Sequence, residues 1–158
     1  MKITLLSILA FLTFTISSCK KENVKPAPTG SSSTDSFLLL ENGVPFLAKK
    51  IIIESAWTGH TKIDARSVPN EPHNKAYNMS LRNDLQPGEY SHNQVPGGTF
   101  TLSYYKPGQS FVINHGTIHI LSNDTVAKKM DFTFEAELVD IMSNDNIQVT
   151  NGKSTVYY

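Results

Sequence analysis

Met130-Asp131-Phe132-Thr133-Phe134-Glu135-Ala136-Glu137-Leu138 places an apolar side chain at every second position and a polar one between. A strand sends successive side chains to opposite faces, so this nonapeptide is written for a sheet with one face buried and one wet. Tyr77, Met79 and Leu81 repeat the pattern against Asn78, Ser80 and Arg82. Turn signals separate such runs from residue 37 to residue 158, and no helical periodicity competes with them. Asn42-Gly43 and Asn151-Gly152 suit type I′ hairpins, whose central residues both need positive φ. Pro87-Gly88, Pro96-Gly97-Gly98 and Pro107-Gly108 punctuate the middle of the chain. Proline presets one turn angle and glycine tolerates the other. Ile51-Ile52-Ile53, apolar on both faces, is expected to be a central strand, and Pro45, lacking an N–H, an edge strand or a bulge. The expectation is an all-β antiparallel β-sandwich of about 8–10 strands, with a closed, lipocalin-like barrel as the rival architecture.

The residues before this domain read as an address. Met1-Lys2, an apolar run from Ile3 to Ile16 and the small pair Ser17-Ser18 precede Cys19, the chain's one cysteine. That order is the layout of a bacterial lipoprotein signal peptide, residues 1–18, with Cys19 as the acylated first residue after cleavage. The apolar run is about 14 residues long, and a bilayer-spanning helix needs roughly 20. Several acyl chains on Cys19 would hold the protein to a membrane, each buried methylene contributing about 0.8 kcal/mol. Residues 19–36 are polar and rich in Ser, Pro and Lys, the composition of a disordered tether with a reach of about 20–25 Å. Residues 37–158 then form a single domain. With the thiol acylated no internal disulfide is available, so the core alone must stabilise the fold.

Composition excludes some partners. Lys and Arg total 14, Asp and Glu total 14, and the formal net charge is zero. The basic residues are scattered, which gives no electrostatic footprint for nucleic acid. The expected partners are the membrane, through the N-terminal lipid, and an envelope protein or glycan.

Few residues argue for chemistry. His115 and His119 would share a helix face, but in a strand they stand roughly 13 Å apart and hold no common metal ion. His60, His73 and His92 lie in polar surroundings and are expected at the surface. Glu135 and Glu137 start roughly 7 Å apart, a glycosidase-like separation, yet they belong to the alternation that writes a solvated sheet face. No G-x-S-x-G elbow occurs, and Cys19 is consumed by lipid, so nucleophilic hydrolase signatures are missing. Ser143-Asn144-Asp145-Asn146 lacks the further carboxylates of a calcium loop and reads as a turn. No catalytic residue, metal or cofactor is expected. Trp57, Tyr90, Tyr104 and Tyr105 are candidates for ligand binding, because a flat ring matches the C–H face of a sugar. A non-catalytic structural or interaction module is the leading expectation, a glycan or small-ligand binder the second and a hydrolase the third. Phe100, Leu102, Phe132 and Phe134 would line an empty barrel if the ligand were apolar.

The order of several short motifs resembles small lipoproteins of the Bacteroidota that carry a domain of unknown function. These motifs are Glu41-Asn42-Gly43-Val44-Pro45-Phe46-Leu47-Ala48, Pro87-Gly88-Glu89-Tyr90, Gly116-Thr117-Ile118-His119-Ile120, Phe132-Thr133-Phe134 and Thr150-Asn151-Gly152-Lys153. Met130-Asp131 stands where those proteins carry Gly-Thr. The resemblance implies a lipid-anchored β domain in the cell envelope and assigns no catalytic residue. Lys20-Lys21-Glu22 resembles the charged run that sends such lipoproteins to the outer membrane and its outer face. Asp124-Thr125-Val126 resembles their O-glycosylation sequon, at Thr125.

Overall fold

The computed structural model describes residues 35–158 apart from 57–58, 73 and 93–97. Cys19, the signal peptide, the tether up to residue 34, Trp57, His73 and Pro96-Gly97 therefore lie outside the described residues, whereas Asp35 and Ser36, expected in the tether, are part of the described chain and Ser36 opens the first strand. The described chain folds into strands β1 (Ser36–Glu41), β2 (Val44–Leu47), β3 (Lys50–Ser55), β4 (His60–Arg66), β5 (Ala76–Arg82), β6 (Gly88–Ser91), β7 (Phe100–Lys106), β8 (Gln109–Asp124), β9 (Lys129–Asp140) and β10 (Asn146–Tyr157). All pair antiparallel in one sheet of order β2-β1-β10-β9-β8-β7-β5-β4-β3, with β6 added to β8. The sheet curls into a half-barrel, so the all-β antiparallel expectation and its strand number both hold.

The nonapeptide in β9 shows why. Met130, Phe132, Phe134, Ala136 and Leu138 are all buried, and Asp131, Thr133, Glu135 and Glu137 face outward. Every neighbouring strand contributes the same alternation, and the inward side chains merge into one core running from Phe37 to Val156. Aromatic rings fill its middle, with Tyr77 stacked on Tyr104 at 4.4 Å and Phe37 tilted against Phe134 at 5.4 Å. Each such ring contributes about 1.5–3 kcal/mol by leaving water. Phe100, Leu102, Phe132 and Phe134 are 0–2% exposed within this cluster, so they are packing and not the wall of an empty apolar cavity.

The two ends of the pairing path are one run of chain. β2 and β3 are separated by Ala48-Lys49, where pairing changes partner: the Ala48 N–H donates to the Phe37 carbonyl beside β2, and the Lys49 N–H donates to the Arg66 carbonyl of β4. This geometry corrects the expectation for Ile51-Ile52-Ile53, which pair only with β4 at the end of the path. Their apolar character has another cause: Ile51 and Ile53 pack on the core, and Ile52 stands outside, half-buried, opposite Asp64. Pro45 does occupy an edge strand, where no ladder partner is deprived of an N–H.

Asn42-Gly43 forms the expected tight turn, with φ of 49° and 80°. Asn151-Gly152 does not. Both residues lie inside β10 at a break in register between Val149 and Gly152, so the dipeptide makes a bulge and β10 runs on. Gly116 and Gly152 allow β8 and β10 to press on β9, since a Cβ at either would stand 2.6 Å from a β9 carbonyl oxygen.

Candidate functional site

Strands β4, β5 and β7 turn their inward residues to the core and leave a polar array outside. The register aligns it in three rows: Lys62, Ser80 and Thr101; Asp64, Asn78 and Ser103; and Arg66, Ala76 and Tyr105. At about 4.8 Å between strands and about 6.6 Å between alternate residues, the array covers about 10 by 13 Å. Pro72 and Met79 complete the lining of an open cleft of about 520 Å³. That volume lies in the range of small-molecule sites.

Asp64 sits at its centre and is 8% exposed, an unusual depth for a carboxylate on the outer face of a sheet. Its Oδ2 accepts from Arg66 Nε at 2.9 Å and also from Arg66 Nη2. The hydrogen bond to Asp64 holds the Arg66 guanidinium above its already high ordinary value, so the cation is permanent. Asp64 Oδ1 is shielded from water and has no hydrogen-bond partner. A buried carboxylate oxygen without a donor is costly, and the adjacent Arg66 cation offsets part of that cost. Around it stand an amide, three hydroxyls and two cations. Such a set both donates and accepts over a small area, and Tyr105 adds a half-buried ring at one end.

The other sequence candidates are dispersed. Tyr104 is fully buried, stacked on Tyr77, and its hydroxyl is sealed in the core, so it offers no ring to a surface ligand. Burial pushes both phenols far above their ordinary value, and the charge of Glu41 adds to the effect. Tyr90 packs against the core from β6 and donates its hydroxyl to the Gln86 carbonyl at 2.9 Å. Of the four aromatic candidates, Tyr105 alone among the described residues lines the cleft.

Glu135, Glu137, His115 and Thr117 line a second cleft of about 370 Å³ on the outer face of β8, β9 and β10. Glu137 is held there as a hydrogen-bonded surface group. Gln148 Nε2 donates to its Oε2 at 2.8 Å, Asn114 Nδ2 to its Oε1 at 3.4 Å, and His115 Nε2 lies 3.7 Å away. His115 pairs with Glu137 and His119 with Thr133 along one strand, as strand spacing requires. His92 is half-buried with Nδ1 2.9 Å from the Phe100 carbonyl, and His60 is half-buried as the first residue of β4. Thr125 is exposed in the turn after β8, where Asp124 Oδ1 accepts from the Val126 and Ala127 amides. Asp140, Ser143 and Asp145 close the β9–β10 turn in the same way.

Asp64, Asn78, Ser80, Thr101 and Ser103 were not legible as a site. Each belongs to an alternation that reads equally well as a wet face, and strand pairing alone brings them together. No protein-family model, curated protein or solved structure matches this chain.

Proposed function

We propose that this chain is a lipid-anchored protein of the cell envelope, at the outer membrane, whose β unit is a non-catalytic interaction module for a polyhydroxyl ligand such as a glycan. The observation that carries the binding reading is the three-row array around Asp64, whose carboxylate is buried and half-satisfied. Hydroxyls of a sugar would exchange hydrogen bonds with Asn78, Ser80, Thr101 and Ser103 around the Asp64–Arg66 pair, with Tyr105 against the apolar ring face. The anchoring reading rests on Ser17-Ser18-Cys19 following a short apolar run. The non-catalytic reading is supported by Glu137 being tied by Gln148 and Asn114.

Calorimetric titration of the β unit, residues 32–158, with neutral oligosaccharides tests the binding reading. Each lost hydrogen bond to a ligand is worth about 0.5–1.5 kcal/mol, so Asn78→Ala combined with Ser103→Ala is expected to weaken binding about tenfold at unchanged stability. Equal affinity in wild type and the double variant would overturn it.

A further inference from the structure

The outer face of β1 and β2 carries a cluster of apolar side chains. Leu38 pairs with Leu47 and Leu40 with Pro45, and their neighbours Leu39 and Phe46 point inward, so these four side chains share one outward patch. Leu38 is 40% and Leu47 67% exposed. Lysines border the patch: Lys153 of β10 pairs with Leu38, and Lys49 and Lys50 come two and three residues after Leu47, all three exposed. The chain enters the domain here, because Asp35 immediately precedes β1 and its carboxylate accepts from the Tyr157 amide at 2.9 Å.

We propose that this patch seats the domain on an anionic lipid surface, with Leu38, Leu40, Pro45 and Leu47 at the headgroup boundary and the lysines on the lipid phosphates. Two observations select a bilayer over another occupant. The chain outside the domain ends three residues before Leu38, and only the 15 residues 20–34 separate Cys19 from Asp35, beside the patch. The cationic rim complements anionic headgroups, whereas the exposed apolar residues Ile141 and Met142 of the β9–β10 turn have acidic neighbours in Asp140 and Asp145. The inference rests on the lipid-anchored reading for its location, and its test replaces that anchor.

The β unit carries all ten strands and the core, so it can be tethered by an N-terminal hexahistidine segment to nickel-chelating vesicles containing anionic lipid. A fluorophore at Pro45→Cys is compared with one at Met142→Cys, using lipids quenched at the headgroup boundary. Strong quenching at 45, weak quenching at 142, and a docked fraction that falls when Lys49 and Lys50 are both replaced by Gln are expected. Removing two lysines lowers the docking equilibrium about 30-fold, at the cost typical of a basic residue near an anionic surface. Equal quenching at the two positions, or docking indifferent to Lys49→Gln/Lys50→Gln, would overturn the proposal. Failure of Cys19 acylation in the full chain would instead count against the anchoring reading, which the artificial tether leaves untouched.

Discussion

Gly152 decides how closely β10 can lie on β9. A Cβ there would meet the Phe134 carbonyl oxygen at 2.6 Å and the Phe134 ring at 2.7 Å, so neither backbone nor a buried ring has room to yield cheaply. Gly152→Ala is expected to destabilise the fold by about 1–3 kcal/mol, the typical cost of overpacking, measured as a lower denaturant midpoint at unchanged slope. Asp131 makes a second argument at this scale. Burial pushes its carboxyl up, but hydrogen bonds from Thr155, Lys129 and Ser122 outweigh this and hold it below its ordinary value. A depressed carboxyl stabilises the native state above its unfolded value and loses that contribution as pH falls through the folded one. Asp131→Asn should therefore lower Tm at neutral pH, and its gap to wild type should narrow below about pH 4. A gap constant from pH 7 to pH 2 would contradict this assignment.

Among the elements, the β1–β2 hairpin is the one most clearly written locally. Asn42 and Gly43 take positive φ, and Asn42 also anchors the turn to β10: its N–H donates to the Gln148 carbonyl at 2.9 Å and its Oδ1 accepts from the Gln148 amide at 2.7 Å. Asn42→Ala is expected to cost about 1–3 kcal/mol, through a lost hydrogen bond and a side chain less suited to left-handed backbone, as a lower thermal midpoint. The same dipeptide at Asn151-Gly152 makes a bulge, with positive φ at Asn151, because β10 is already paired on both sides with β1 and β9 and gains more by continuing than by turning back. A dipeptide specifies local backbone preference; the neighbouring strands decide whether it ends an element. Ile51-Ile52-Ile53 was misplaced for a related reason. Two-sided apolarity is ordinarily the mark of a central strand, but here the strand inherits its neighbours from the kink at Ala48-Lys49. Alternation, by contrast, was sufficient for β5 and β9, where the core alone sets the inward face.

For the molecule as a whole, two regions carry different parts of the account. On the proposed anchoring, Cys19→Ala in the native host is expected to abolish incorporation of labelled fatty acid and release the protein from membrane fractions. The residues proposed to bind the ligand are 2 apart on each strand and adjacent only across strands. Their side chains were visible in the sequence, but their convergence depended on registers that no short motif encodes, and Asp64 lies opposite Ile52 of a strand whose place in the sheet the sequence did not reveal. Amide chemical-shift mapping of residues 32–158 during titration with neutral oligosaccharides decides whether the outer face of β4, β5 and β7 binds sugar. Binding there is expected to give saturable shifts concentrated at Lys62–Arg66, Asn78–Ser80 and Thr101–Tyr105, lost in the Asn78→Ala/Ser103→Ala variant while the remaining spectrum is unchanged. Shifts centred instead on Glu135, Glu137 and His115, or a spectrum unmoved across the oligosaccharides, would contradict it.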